Sequence, residues 1–323
     1  MDAAWCAGMH IAVLAGGASS EREVSLRSGD HAASALRQAG FGQVDVIDPA
    51  QADFLEKMSL GTYDAAFLAL HGAGGEDGVI QGVLEYLGVP YTGSGVEASA
   101  CASDKQLAKL IYRDHGIPVP CGVAIERGER VDINRIVGVV GDHSFVKPAV
   151  NGSSYGVTYV KDSAELPAAI DHAFAYGDKV LIEQRIEGTE VTVGVIEGED
   201  GSIRALPVVE VCVQNEGAEY YDSEVKYIDP ARIHRIPANI PPEQYEFVQQ
   251  LACRAHRALG CADLSRSDFI IAADGPVILE TNTIPGMTES SLLPDEIRHT
   301  DDLTFSDVCA SLVLRAIDRV RKN

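Results

Sequence analysis

The sequence predicts an α/β fold divided into two or three subdomains, and three observations lead to this prediction. The first part of the chain alternates strand and helix patterns, which is typical of a parallel sheet. The middle part carries short strand patterns that indicate antiparallel pairing. The chain has 323 residues, which is more than one ordinary hydrophobic core accommodates.

The parallel sheet is predicted over residues 9–95. The segment HIAVLAGG has the pattern of a buried strand that ends in a glycine turn, and a helix follows at about 24–39. VDVID and YDAAFLALHG are the next two strands. After the loop HGAGGEDG, apolar residues recur at helical spacing until Gly88 ends that helix. This order of strands and helices implies parallel pairing.

A second subdomain is expected to begin near residues 96–104, where the composition changes. The segment SDKQLAKLIYRDHG is predicted to be a helix with Ser103 as its N-cap and Gly116 as its stop. Four strand patterns of antiparallel character follow, with a helix at 166–176 among them. These strands are PCGVAIE, SFVKPAV, GVTYV and KVLIEQRI.

The last part of the chain opens with two long strands predicted over 189–213. The polar loop 214–240 is too long to be a simple connection, so we expect it to be an active-site lid. A helix over 242–259 then precedes the strand pair SRSDFIIAADGPVILETN. The turn of this pair is expected at Asp274-Gly275, a strong hairpin signal.

The overall composition excludes several classes of protein. Lys and Arg number 26 against 48 Asp and Glu, a formal net charge of −22, and so acidic a surface disfavours nucleic acid as a partner. No apolar run is long enough to span a bilayer, and the N-terminus lacks the pattern of a signal peptide. The seven cysteines include no CxxC pair, which indicates reduced thiols. We therefore expect a cytoplasmic protein without a membrane partner.

The register of the last hairpin decides which side chains share a face, because opposite residues of an antiparallel pair point the same way. A three-residue loop from Ala273 to Gly275 would place Asp268 opposite Glu280. Only an odd-length loop collects the polar residues of both strands on one face. That face would hold Arg266, Asp268, Ile270, Ile278, Glu280 and Asn282. The core face would hold Phe269, Ile271, Val277 and Leu279.

Two carboxylates, one amide and one arginine on a single face form a site for a hard cation. Mg²⁺ prefers such oxygen ligands and completes its shell with water and substrate phosphates. Asp268, Glu280 and Asn282 could hold two ions bridged by one carboxylate. From the hairpin alone, an exposed strand pair with a surface ion pair is the competing interpretation.

Neighbouring segments favour the metal interpretation. The turn at Pro285-Gly286 exposes backbone N–H groups that, with Arg266, could stabilise a developing oxyanion. Ser291 and Leu292 could receive a carboxylate. Two lysines and a Gly/Ser loop, without a P-loop pattern, favour ATP held between subdomains. The lysines are Lys105, which opens a helix, and Lys147, which ends a strand before NGSSYG.

Five motifs, taken together and in this order, resemble those of the D-alanine–D-alanine ligases of the ATP-grasp superfamily. They are GGASSEREVSLRSG, LHGAGGEDG, FVKPAVNGSSYG, YDSEVKY and RSDF…LETNTIPGMTESSL, and they span about residues 9–295. The resemblance implies a three-domain ATP-grasp architecture, with an N-terminal parallel α/β domain and ATP between the other two domains. The implied domains are residues 1–98, 99–188 and 189–323, the last carrying the lid loop 214–240.

The resemblance also implies an activity. ATP activates one D-alanine as an acyl phosphate, and the amine of a second D-alanine displaces the phosphate. The product, D-alanyl-D-alanine, is a precursor of bacterial peptidoglycan. The implied cofactors are ATP and two Mg²⁺ ions, with Mn²⁺ as a possible substitute, and the implied assembly is a homodimer.

Residue roles are carried over by motif. Glu21 would bind the ammonium of the first D-alanine, and His71 would lie near its carboxylate. Tyr227 would hydrogen-bond Ser153 and Glu21 and so hold the lid shut. The ATP phosphates would be bound by Lys105, Lys147, Ser154 and Lys226. The adenine would be bound by Glu183, Gln184, Arg185, Ile186 and Ile270, and the ribose by Glu190. The metal ligands would be Asp268, Glu280 and Asn282. The oxyanion would be stabilised by Arg266 and the N–H of Gly286. Ser291 and Leu292 would bind the carboxylate of the second D-alanine.

Two alternatives remain open. A ligase of the same fold could use D-lactate or D-serine as the second substrate, but relatives that form the ester carry a histidine where this lid has Lys226-Tyr227. The protein could also bind nucleotides without catalysis, although such a protein would have no need of Arg266.

Overall fold

The structure of the protein is a computed structural model, and it describes residues 6–150, 152, 155–198, 200–212 and 234–322. The expectations for Ser153, Ser154, Lys226 and Tyr227 lie outside these residues. The same holds for most of the predicted lid loop.

The N-terminal sheet is parallel, as predicted, with the strand order β2-β1-β3. Its first helix begins two residues before the predicted start, and the third ends at Gly88, which adopts a left-handed conformation with φ 69°. This glycine is needed because other residues rarely adopt positive φ. The elements are β1 (His10–Leu14), α1 (Arg22–Gln38), β2 (Gln43–Ile47), α2 (Phe54–Ser59), β3 (Ala65–Leu68), α3 (Val79–Leu87) and α4 (Val96–Ser103).

The central part begins with helix α5 (Lys105–Asp114), which joins it to the N-terminal part. The predicted N-cap Ser103 is wrong. Asp104 caps this helix, because its carboxylate accepts hydrogen bonds from the N–H groups of Gln106 and Leu107 at 3.0 and 3.1 Å. The hydroxyl of Ser103 instead donates to the carbonyl of Ala100.

A four-stranded antiparallel sheet follows, in the order β4-β7-β5-β6, which confirms the prediction for this part. Two helices bury their apolar residues against this sheet and form a separate core. The elements are β4 (Gly122–Glu126), α6 (Ile133–Val140), β5 (Ser144–Pro148), β6 (Thr158–Val160), α7 (Leu166–Phe174) and β7 (Lys179–Gln184).

The C-terminal sheet is antiparallel in the order β11-β10-β8-β12-β13, and β9 also pairs with β8. The two long strands predicted over 189–213 are three strands here. Within the predicted lid, the described end forms the short strand β11. The elements are β8 (Thr189–Glu197), β9 (Ile203–Ala205), β10 (Val209–Val211), β11 (His234–Arg235), α8 (Pro242–Ala258), β12 (Leu264–Ala272), β13 (Gly275–Asn282), α9 (Leu292–Arg298) and α10 (Phe305–Lys322).

The β12–β13 hairpin has the predicted pairing at its base and a different one at its tip. Asp268 lies opposite Glu280 and Arg266 opposite Asn282, as predicted. The three-residue loop is wrong, because Ala272 pairs with Gly275 across a two-residue turn. A β-bulge at Leu279 restores the register, since Phe269 pairs with Ile278. Consequently Ile278 lies in the core rather than on the polar face, while Val277 and Leu279 are only partly buried.

The last helix, α10, returns to the N-terminal sheet. Its buried residues Val313 and Ile317 belong to the same apolar core as Ile11 and Leu36. The first and last parts of the chain therefore share one core. None of the helices in the described ranges is both long and apolar enough to cross a bilayer.

Candidate active site

One face of the C-terminal sheet carries the predicted polar residues. The side chains of Arg266, Asp268 and Ile270 alternate with buried neighbours along β12 and are partly exposed. On the neighbouring strand β8, Glu190 pairs with Ile270 and Thr192 with Asp268. The structure therefore brings the predicted ribose and purine contacts next to each other, beside the predicted metal ligand.

Arg266 and Asp268 form a bidentate ion pair. Nε and Nη2 of Arg266 donate to Oδ1 and Oδ2 of Asp268, both at 3.0 Å. Thr192, which is buried, donates to Oδ1 of Asp268 and accepts a hydrogen bond from Nε of Arg266 at 2.9 Å. Burial lowers the pKa of Arg266, but the carboxylate of Asp268 more than compensates, so the pKa lies above its usual value. The guanidinium is therefore a fixed positive charge.

The two predicted carboxylate ligands face each other across the hairpin, next to a lysine from another element. Asn282 approaches Oδ2 of Asp268 at 3.4 Å. Nζ of Lys105 lies 3.2 Å from Oε2 of Glu280. Among the described residues no group of three or more His, Cys, Asp and Glu side chains gathers as a metal cluster. The predicted cation ligands are therefore two carboxylates and one amide, a set that would suit an ion that keeps water and phosphate ligands.

A buried three-charge cluster lies between the central and C-terminal sheets. Oε2 of Glu183 lies 2.6 Å from Nζ of Lys147, and Oε1 lies 3.0 Å from Nζ of Lys109. Burial raises the pKa of Glu183, but both lysines lower it below its usual value. Burial lowers the pKa of Lys109 to about 8. With two cations and one anion, the cluster carries an excess of positive charge.

The predicted adenine segment follows this cluster along the chain. Oε1 of Glu183 is buried, and its partner is the ammonium of Lys109 at 3.0 Å. Gln184 is exposed, whereas Arg185 is held by the hydroxyl of Tyr159 at 2.8 Å. Ile186 is half-buried.

The N-terminal part contributes Glu21 and His71. A side chain added at Gly72 or at Gly152 would meet the carboxylate of Glu21 at 2.7 or 2.3 Å. Both glycines therefore allow close approach to this carboxylate. His71 is buried, and its Nε2 lies 3.0 Å from the hydroxyl of Ser28. The N-terminal domain thus touches the Gly/Ser loop of the central part at Glu21.

The segment after β13 reaches the same region. The N–H of Met287 donates to the hydroxyl of Ser28 at 3.3 Å, which connects this segment to His71. The hydroxyl of Ser291 accepts from the N–H of Thr288 at 3.0 Å and leaves no room for a side chain at Gly286. Helix α9 begins next, at Leu292, which is buried.

Three residues of this region are not predicted from the sequence. Thr192 lies two residues after Glu190 in a strand pattern, so strand alternation could have predicted that it shares the polar face. Lys109 lies one helical turn after Lys105, a spacing that also occurs on solvated helix surfaces. Ser28 has no distinguishing pattern, since it joins His71 to Met287 only through the tertiary fold.

The chain is similar to known proteins along almost its whole length. The family model for the N-terminus of D-Ala–D-Ala ligases matches residues 43–94, and the model for the C-terminus matches residues 111–314. The D-alanine–D-alanine ligase of Desulforamulus reducens is 40% identical over 96% of this chain and 99% of its own. That of Citrifermentans bemidjiense is 42% identical over 95% of this chain and 94% of its own.

The solved structure of a D-alanine–D-alanine ligase from Bacillus anthracis in complex with ATP superposes with a TM-score of 0.82. It is 29% identical and covers 98% of this chain and 99% of its own. The fold and the polar cleft therefore define an ATP-grasp enzyme. The chain belongs to the D-alanine–D-alanine ligase family.

Proposed function

We propose that the protein joins two D-alanine molecules to D-alanyl-D-alanine, with ATP converted to ADP and phosphate. The observation that carries this proposal is the opposition of Asp268 and Glu280 on the polar face of the hairpin, where Lys105 meets Glu280. The full-length similarity to enzymes of this name supports it. The product is a building block of the bacterial cell wall, so we also propose that the enzyme works in the cytoplasm.

ATP binds between the central and C-terminal sheets in this proposal. Lys147 and Lys105 contact its phosphates. Each ammonium then shares its hydrogen bonds between a phosphate and the carboxylate it already contacts, Glu183 for Lys147 and Glu280 for Lys105. Glu183 contacts the adenine base while its Oε1 stays paired with Lys109. The remaining base contacts come from Gln184, Arg185, Ile186 and Ile270, and the ribose contact from Glu190. From outside the described residues, Ser154 and Lys226 complete the phosphate site.

Mg²⁺ fits the donors that the hairpin presents. Asp268, Glu280 and Asn282 would hold two ions, since carboxylate and amide oxygens are the ligands that Mg²⁺ prefers, and Mn²⁺ could substitute. When bound, the ions neutralise charge on the phosphates of ATP. Thr192 and Arg266 orient Asp268 before any ion arrives.

The reaction takes place in two steps. The carboxylate of the first D-alanine attacks the γ-phosphorus of ATP, ADP leaves, and an acyl phosphate forms. The amine of the second D-alanine then attacks the acyl carbon, loses a proton and displaces phosphate. Arg266 and the N–H of Gly286 stabilise the oxyanion that forms during this attack.

The two D-alanine molecules are held by different parts of the chain. Glu21 binds the ammonium of the first, and His71 lies near its carboxylate. Ser291 and Leu292 bind the carboxylate of the second through hydroxyl and backbone donors. Ser153 and Tyr227 close the lid over both. We further propose the domain division 1–98, 99–188 and 189–323 and a homodimeric assembly.

The proposal is tested by measuring ADP release and dipeptide formation with ATP and Mg²⁺, with and without D-alanine. Glu280→Gln is expected to lower turnover by several orders of magnitude, because phosphoryl transfer depends on charge neutralisation and positioning. Glu243→Gln, an exposed change on α8, is the matched control and should retain wild-type turnover. ADP release that is independent of D-alanine, or a folded Glu280→Gln variant with normal turnover, would refute the proposal.

A further inference from the structure

Lys109 occupies an unusual position for a lysine, because only 3% of its side chain is exposed and its ammonium reaches two different sheets. One partner is the carboxylate of Glu183 on β7 at 3.0 Å. The other is the backbone carbonyl of Leu279 on β13, which accepts a hydrogen bond at 2.6 Å. A buried ammonium is costly unless it is paired, so these two contacts account for its burial.

Leu279 is the bulged residue of the hairpin. The pairing passes from Phe269–Ile278 to Asp268–Glu280, so Leu279 has no partner on β12. If the same sequence paired here without a bulge, the tip register would continue and Asp268 would lie opposite Leu279. Glu280 would then point to the core face, because a shift of one residue reverses every side chain of a strand. The bulge therefore shifts the pairing by one residue and places Glu280 on the same face as Asp268.

The outer edge of β13 at the bulge is held by the central part of the chain. The N–H of Ile278 donates to the carbonyl of Pro118 at 2.9 Å, and the next carbonyl, that of Leu279, accepts from Lys109. Both bonds come from α5 or the segment that follows it. The peptide group held by Lys109 is the one that leads directly into Glu280.

We propose that Lys109 is a positioning residue for Glu280. By holding the bulged carbonyl of Leu279, it keeps the extra residue next to Glu280 and keeps the Glu280 carboxylate on the polar face opposite Asp268. Because the same ammonium pairs with Glu183, it also couples the nucleotide side of the cleft to the cation side. The inference rests on the proposed function for the identity of Glu280 as a metal ligand.

The test compares Lys109→Met, which removes the ammonium at similar length, with Lys109→Arg, which retains a charged donor. Binding of Mn²⁺ is measured by EPR with a non-hydrolysable ATP analogue, against a protein-free control that contains the analogue alone. We expect Lys109→Met to weaken Mn²⁺ binding at least tenfold and to raise the Mg²⁺ concentration for half-maximal turnover similarly. The KM for D-alanine should change less than threefold, and Lys109→Arg should recover most of the Mn²⁺ affinity.

The matched control is Tyr112→Phe. The hydroxyl of Tyr112 donates to Thr281 at 2.7 Å, so this change also removes a hydrogen bond between α5 and β13 but leaves Leu279 untouched. It should lower the melting temperature and leave Mn²⁺ binding unchanged. If both variants weaken Mn²⁺ binding equally, general loosening of the helix is the cause and the proposal fails.

Further outcomes distinguish the proposed role of Lys109 from a role at Glu183 alone. A higher KM for ATP in Lys109→Met, with normal Mn²⁺ binding, would place the role of Lys109 at Glu183 alone and overturn the proposal. If Lys109→Met does not fold, Lys109→Gln is used, whose shorter, uncharged side chain withdraws the donor from the carbonyl of Leu279. Mn²⁺ binding closer to wild-type in Lys109→Arg than in Lys109→Gln supports the proposal, and equal values contradict it. Because Mn²⁺ binding needs no turnover, a failure of the proposed function appears separately, in the wild-type ADP assay.

Discussion

The hydroxyl of Thr192 determines how Asp268 and Arg266 are arranged, since it donates to the first and accepts from the second. Thr192→Val preserves the shape but leaves Asp268 with one fewer donor. Hydrogen bonds to charged groups contribute about 1.5–3 kcal/mol, so we expect kcat/KM for D-alanine to fall by about 10- to 100-fold.

Thr192→Ser is the control for this prediction, because it keeps the hydroxyl. It should remain within a few-fold of wild type in the same steady-state assay. A valine variant as active as the serine variant would show that the hydroxyl does not orient the pair.

Glu296 is a buried carboxyl group near this pair. Its Oε1 accepts a hydrogen bond from the N–H of Gly194 at 2.7 Å, while its Oε2 has no partner among the described residues. Burial raises the pKa of Glu296 from 4.5 to about 8. At neutral pH the folded protein therefore keeps this proton, whereas the unfolded chain has released it.

This difference makes the free energy of unfolding depend on pH. Between the unfolded pKa near 4.5 and the folded pKa near 8, the folded state binds more protons, so its stability falls as pH rises. Glu296→Gln cannot ionise and should be more stable than wild type by about 2–4 kcal/mol at pH 8. The advantage should shrink towards zero near pH 4.5 in urea unfolding. An advantage that does not vary with pH would contradict the raised pKa.

At the scale of elements, α5 carries more of the site than any other helix. Lys105, Lys109 and Tyr112 lie on one side of it and contact Glu280, Leu279 and Thr281 of β13. The position of the first turn of this helix therefore determines where these three side chains meet β13. Asp104 fixes that start through its cap and through an ion pair with Lys179 at 2.7 Å.

Replacement of Asp104 should destabilise the protein through the loss of the cap. We expect Asp104→Ala to lower the free energy of unfolding by about 1–2 kcal/mol, because N-caps contribute that amount. Asp104→Asn should cost less, since asparagine caps equally well, and Ser103→Ala should cost almost nothing. Thermal unfolding of the three variants checks this order. A Ser103→Ala loss as large as that of Asp104→Ala would restore Ser103 as the cap.

The elements that the sequence predicts well are those fixed by local pattern. Helical spacing with Gly88 bounds α3. The opposition of Asp268 and Glu280 is predicted correctly, but from a three-residue loop, whereas in the structure a two-residue turn and a bulge produce it. The bulge at Leu279 could not be predicted, because Lys109 and Pro118 hold it from a distant part of the chain. The burial of Lys109 could not be predicted for the same reason. A lysine four residues after another lysine is also typical of an exposed helix face, and nothing in the local sequence indicates that this one is buried.

At the scale of the whole molecule, a buried carboxylate joins the N-terminal and C-terminal parts. Asp263 accepts hydrogen bonds from the N–H of Gly93 at 2.8 Å and from Arg315 and Arg319 of α10 at 3.0 and 2.6 Å. Arg319 also donates to the carbonyl of Tyr91 at 2.8 Å. These bonds fix the N-terminal sheet, which carries His71, relative to the strand that leads to Arg266.

The proposed active site is expected to select an amine as the second substrate. Free D-alanine is mainly an ammonium at neutral pH and must lose a proton before it attacks. The resemblance implies that Lys226 contacts phosphate, which leaves Tyr227 and Glu21 near the amino acids and no histidine at the Lys226-Tyr227 position of the lid. We therefore predict dipeptide as the main product from D-alanine plus D-lactate between about pH 6 and pH 9.

Mass spectrometry of the products tests this prediction. A histidine in place of Lys226 or Tyr227 would make the product ratio change near the reference histidine pKa of about 6.5, so a constant ratio supports the assignment. D-alanyl-D-lactate as a large fraction of the product at about pH 6 would show that the acceptor site is misassigned.

The return of α10 to the N-terminal sheet has a consequence for how the protein is made. On the ribosome, β1, α1 and β3 emerge early, yet the helix that covers part of their core emerges last. The core of the N-terminal part therefore stays partly uncovered while the central and C-terminal sheets are synthesised. A nascent chain stalled before Phe305 should leave that core open to protease and to chaperones, and a fragment ending after α4 should not form a stable domain.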